Sequence, residues 1–203
     1  MYLEHASLGG EPVQDAPESD APPRALMIAA LVVAVGGLAA VLAVAATRRT
    51  EPQPVVIAAV PAPQAESSEC RALLATLPDR LGDFDRAPTA EPTPAGTAAW
   101  RPAADDVDVH SADPVILRCG LERPAEFVVG SPLQLVDVGA GQPVQWFRLD
   151  DPSSARSTWV CVDRPTYVVL TLPTGSGSAP IQTLSGVIAR TMPATPIRPG
   201  PAR

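Results

Sequence analysis

The apolar positions of this chain fall into distinct regimes. Between Arg24 and Arg48, residues 25–47 are uninterruptedly apolar or small and carry no charge. As a helix this run spans about 35 Å, enough to cross a hydrocarbon core of ~30 Å. Gly36 and Gly37 at its middle are tolerated in a membrane helix. The core helix of a soluble domain rarely runs so long without a charge. A cleavable signal peptide is the rival reading, since "AVAAT" (43–47) offers small residues at cleavage-site spacing. The run is longer than the ~7–15 residues of a signal core and follows an acidic tail, so the pattern favours an uncleaved anchor, with a cleaved and secreted form as the alternative.

Further along, the pattern becomes periodic. In "SSECRALLATLP" (67–78), Cys70, Leu73, Leu74 and Leu77 repeat at i, i+3, i+4 and i+7 and predict a helix with one buried face. Ser67 or Ser68 suits its N-cap, Glu69 its first turn, and Pro78 its end. Residues 84–100 read mostly as loop closing on Trp100. "PVILRC" (114–119) is β-branched and alternating, with Val115, Leu117 and Cys119 on one face and Ile116 and Arg118 on the other. "LQLVDV" (133–138) and "VQWFRL" (144–149) alternate across a Gly-rich connection, and "STWVCVD" (157–163) and "TYVVLTL" (166–172) across "RP", which predicts two hairpins. A last helix over 180–190 starts on Pro180 and carries a stripe of Ile181, Leu184, Val187 and Ile188. The expected fold is α+β: a small, mainly antiparallel sheet with two flanking helices, preceded by one transmembrane helix.

Composition bounds the rest. With 25 Pro and 14 Gly, much of the chain buries little. Residues 1–23 read as a disordered acidic tail, 48–66 as a Pro/Ala-rich linker and 191–203 as a Pro-rich disordered tail, which leaves 67–190 as the folded domain. The net charge of −7 argues against binding the phosphate backbone of nucleic acid. All 15 basic residues are Arg, as expected from a GC-rich genome.

Candidate chemistry centres on a few residues. Asp105, Asp106, Asp108, His110 and Asp113 invite a metal reading, but they lack the central Gly and terminal Glu of a calcium loop and the several N or S ligands that zinc prefers. A solvated loop is expected, with no metal and no cofactor. The three cysteines, Cys70, Cys119 and Cys161, form no CxxC. Thiol catalysis wants a nearby base, and the only histidines are His5 in the tail and His110 in the acidic loop. Arg118 could lower a thiol pKa, but alternation turns it away from Cys119. Cys70 faces inward from its helix and Cys119 from its strand, so a Cys70–Cys119 disulfide is expected, with Cys119–Cys161 as runner-up and Cys161 otherwise a buried free thiol. A disulfide needs an oxidising compartment. That places the domain outside the cytoplasm, although one Arg before the apolar run against two after it leans weakly the other way.

"CRALLATLP" (70–78), "AAW" (98–100), "PVILRCG" (114–120), "VQW" (144–146), "TWVCVDRPTYVVLTLP" (158–173) and "LSGVIA" (184–189) together resemble the actinobacterial family known as domain of unknown function 3515. The resemblance covers the whole folded segment and implies a membrane-anchored or secreted protein. It brings no activity with it. The chain departs from the family pattern in a longer link between Trp100 and the following strand, and in Cys161. The expected function is a non-catalytic binding or assembly module of the cell envelope, held by its single helix and partnered by an envelope protein or ligand. Arg118, Arg164 and Trp146 are its possible contacts if they reach the surface. The alternatives are a thiol-dependent enzyme or redox sensor using Cys161 or Cys119, and a module that faces the cytoplasm.

Overall fold

The computed structural model describes residues 24–47, 54–103, 113–139, 142–149 and 154–202. The expected tail over 1–23, the first part of the linker, residues 104–112 of the acidic loop and Ala140 and Gly141 of the first hairpin lie outside the described residues. The chain divides into two units, with the boundary between Glu51 and Pro52. The first is represented by α1 (Arg24–Thr47), whose described side chains are all exposed. By length and composition it is apolar enough to cross a membrane.

The second unit is α+β. After α2 (Ser68–Ala75) come β1 (Arg80–Leu81), β2 (Phe84–Ala87), β3 (Thr97–Pro102), β4 (Val115–Leu121), β5 (Leu133–Val136), β6 (Val144–Leu149), β7 (Arg156–Cys161) and β8 (Tyr167–Pro173), then α3 (Ala179–Thr191). The strands form one sheet in the order β1-β2-β3-β4-β8-β7-β6-β5, with every neighbouring pair antiparallel. Two meanders therefore meet at the central β4–β8 pair, and the chain leaves β4 in the middle to restart at the β5 edge.

Both helices pack on one face. From α2, Cys70 and Leu73 are buried; from α3, Ile181, Leu184, Val187 and Ile188 are buried, as their spacing requires. They meet Trp100, Leu117, Cys119, Trp146, Cys161 and Leu170, the inward set of each strand's alternation. Ser67 caps α2, its Oγ accepting from the Cys70 N–H at 3.2 Å. That helix ends two residues before Leu77, whose helical backbone Pro78 disfavours, and the Thr76 hydroxyl donates to the carbonyls of Ala72 and Leu73, both at 3.0 Å.

The opposite face is covered by segments whose composition alone assigns them to linker, loop and tail. Val55 and Ile57 are buried against Ala87, Ala99 and Ile116, because "PVVI" alternates apolar residues and Val55 exchanges backbone hydrogen bonds with residues 88 and 90. The connection between β4 and β5 sets Phe127 on Phe147, Val160 and Val169. Beyond α3 the chain stays on the domain. Thr195 N donates to Asp163 O at 2.9 Å, and Gly200 N to Phe127 O at 2.8 Å. Prolines leave few donors to satisfy, so a Pro-rich strand can lie on a sheet without continuing its ladder.

Three short strands, β1 to β3, span residues 80–102, most of which read as loop (84–100) from sequence. Their residues, "RL", "FDRA" and "TAAWRP", have weak β propensity, and the pairing with β4 holds them. The connection between β7 and β8 is also longer than the hairpin expected, because Asp163 and Arg164 fold inward as a buried pair.

Candidate functional site

Cys70 and Cys119 form a disulfide with a Cα–Cα separation of 5.7 Å, closing 49 residues of sequence. Both are fully buried, with the Thr166 hydroxyl 4.0 Å from each sulfur. Cys161 is a free buried thiol. Cys119 and Cys161 both pair with Val168, from opposite sides, so two strand spacings separate them. That is about 10 Å, beyond the ~7 Å over which a disulfide closes without backbone movement. Burial raises the Cys161 thiol pKa well above its ordinary value, and the charge of Asp163 adds to it. The sulfur lies 3.6 Å from Asp163 Oδ1. A thiol so placed stays protonated at neutral pH and makes a poor nucleophile.

The other sequence-predicted residues divide. Trp146 is not a surface contact: it is fully buried under α3 and donates its indole N–H to Ser185 Oγ at 2.9 Å. Alternation turns it inward with Val144. Arg164 is not one either. It is buried, paired with Asp163 at 2.9 Å, and donates to the carbonyls of Gln142 and Pro143 at 3.0 and 3.2 Å. Its charge tethers the start of β6 to the β7–β8 connection. Arg118 lies half-buried on the face away from the disulfide, where burial and then the like charge of Arg156 lower its pKa. Its Nε has no hydrogen-bond partner among the described residues. Of the acidic loop, Asp113 is described; it pairs with Arg156 at 3.0 Å.

A concavity lies elsewhere, between the β5 edge and the first turns of α3. It is a groove of about 580 Å³. Val136, Trp159 and Ile181 give it an apolar floor, and Gln134, Asp137 and Gln182 stand along it. Trp159 is half-buried; its indole N–H donates to Ser157 Oγ at 3.2 Å, and the Arg148 guanidinium lies 5.6 Å from the ring centroid. A smaller cleft of about 400 Å³ flanks the same Trp, walled by Arg148, Ser157 and the loop Thr174–Gly177. The fold makes these spaces by curling the sheet around α3. At one edge Gly82 lies against Ala179 and Pro180, and at the other Val138 approaches the helix at Gly186. An apolar floor with a few polar groups along its rim suits binding rather than covalent chemistry.

Sequence reasoning placed Trp159 on a strand face beside Cys161 but did not single out the groove. The available signal was the apolar "LQLV" at the start of the strand, with Asp137 as its only charge. Its position at the edge depends on strand order, which alternation does not encode.

The sequence model of the family described as "Protein of unknown function (DUF3515)" matches residues 29–197. No curated protein and no solved structure matches the chain.

Proposed function

The chain belongs to the DUF3515 family, and from that premise we propose that it is a single-pass membrane protein whose C-terminal domain stands on the extracytoplasmic side and binds an envelope protein or ligand without catalysing a reaction. The observation that carries this reading is the buried Cys70–Cys119 disulfide in a chain that also carries an apolar helix long enough to span a bilayer. Disulfides persist where the compartment is oxidising. A domain that depends on one belongs outside the cytoplasm, and large domains translocate despite a small excess of arginine beside the span. The binding role is supported by the groove beside β5, with half-buried Arg118 on the opposite face as a second candidate contact.

Protease treatment of intact spheroplasts tests the placement. The domain is expected to be digested while a fragment containing α1 stays with the membrane. Protection of the domain in intact spheroplasts, with digestion only after lysis, would overturn it. Release of a full-length domain into the medium, with no α1 fragment in the membrane, would instead identify the cleaved and secreted form.

A further inference from the structure

We infer that the groove between β5 and α3 docks an extended segment of another protein, which adds to β5 as a further strand and sets an apolar side chain against Trp159. This deepens, and rests on, the reading of the domain as a binding module.

The backbone at the edge is arranged for it. Val162 N donates to Gln145 O at 3.0 Å, so the peptide groups of Gln145 point toward β7. In an antiparallel ladder the next residues on either side, Val144 and Trp146, then point toward β5. The register pairs them with Val136 and Gln134. By the same alternation Leu133 and Leu135 turn their N–H and C=O groups outward, away from the sheet. β5 is the last strand in the order, so these groups meet no further strand.

Natural edges are blunted by shortness, charge, proline or a bulge. β5 is four residues long, between Pro132 and Asp137, but its own residues carry no charge, proline or bulge, and its Leu135 side chain is 66% exposed. An added strand would send alternate side chains to the helix-bearing face, beside Gln134 and Val136, where the floor of Val136, Trp159 and Ile181 accepts an apolar group. Backbone pairing would supply affinity and the pocket selectivity, as in other strand-addition sites.

Charge selects the occupant. Asp137 is the one charged residue among those lining the groove. A second copy would bring its own Asp137 to the same edge. The fitting partner is a segment with apolar residues at alternate positions and an Arg or Lys placed to meet Asp137.

The test uses the full chain in lipid nanodiscs, with a phage-displayed library of random linear peptides as probe and empty nanodiscs for subtraction. The expected enrichment is for alternating apolar residues with a basic residue. Binding of the enriched peptides is expected to perturb tryptophan emission in the wild type and to lose this signal in Trp159→Phe. Leu135→Pro removes an outward N–H while leaving the β6 ladder intact, and is expected to weaken binding about tenfold, the worth of one good hydrogen bond. N-methylation of alternate peptide bonds in the ligand is expected to do the same, and does not depend on the folding of a variant. Three results would overturn the inference: no enrichment over empty nanodiscs, binding indifferent to both Leu135→Pro and N-methylation, or a dimer paired through β5 that the peptides fail to displace. Peptide binding in nanodiscs does not depend on which side of a cell membrane the domain occupies. Protection in spheroplasts with peptide binding intact would sink the placement and spare the groove; digestion with no enrichment would do the reverse.

Discussion

Two leucines on the two edge strands of this sheet have opposite fates. Leu81, in β1, is fully buried; Leu135, in β5, is 66% exposed. Both strands are short and both edges come close to α3. At β1 the approach is a close contact: Gly82, which follows the strand at positive φ, lies so near Ala179 and Pro180 that a Cβ there would sit about 3.1 Å from them. At β5 the approach leaves a groove. The difference teaches where the fold spends its covering material. Around β1 it uses α3 on one face and residues 54–57 on the other face of the neighbouring β2 and β3. Around β5 nothing among the described residues covers the outward backbone groups, so this is the edge at which a partner can add.

The disulfide belongs to the closed side, since it ties α2 to β4. Replacing both cysteines (Cys70→Ala with Cys119→Ala) should have the largest effect on stability. Releasing a closure of 49 residues costs about 4 kcal/mol in the chain-entropy model, as an upper value. The urea midpoint of the full chain in detergent reads this cost, and amide exchange locates it. Protection should fall first in α2 and β1–β4, with β6–β8 holding longer. An equal loss in both halves would erase the contrast between the two sides.

A smaller effect is expected from Leu81→Ala. Removing a fully buried leucine costs about 2–5 kcal/mol, depending on how far the site collapses. A value of about 3 kcal/mol, in the lower half of that range, is expected by urea unfolding. A cost below about 1 kcal/mol would mean that the β1 edge is as loosely covered as the β5 edge.

The same contrast explains which parts of the fold were legible from sequence. Strands β4 to β8 announce themselves because Val, Ile, Leu, Tyr and Trp are concentrated along them between turn residues, and α2 and α3 because their apolar residues repeat at helical spacing. The inward directions of Cys70 and Cys119 follow from those two periodicities alone. Strands β1 to β3 are silent: alanines such as Ala98 and Ala99 carry almost no β signal, yet both are buried once β4 lies beside them. Strands β1 to β3 are thus specified by tertiary contact and β4 to β8 by local pattern. Arg164 and Trp146 show a further limit. A sequence marks them as large and polar-capable, but only the structure supplies the carbonyls of Gln142 and Pro143, and Ser185, that satisfy them inside. The groove was illegible because strand order, which makes β5 an edge, is set by the meeting of two meanders at β4 and β8.

Leu135→Ala should change stability least, by no more than about 0.5 kcal/mol, because an exposed side chain loses little burial on truncation. Its value lies in the pairing with Leu81→Ala: same residue type, same substitution, both in edge strands, with a several-fold difference in cost. If Leu135→Ala instead destabilised the domain by more than about 1 kcal/mol, Leu135 would be covered in solution. Repeating the measurement across a range of protein concentrations then identifies the cover. A cost that grows with concentration means that another copy of the chain occupies the edge, and the β5 groove is already filled by self-association. A small, concentration-independent cost keeps the edge open and the two sides of the sheet physically distinct: one closed for stability, the other left bare at a place where a strand can be added.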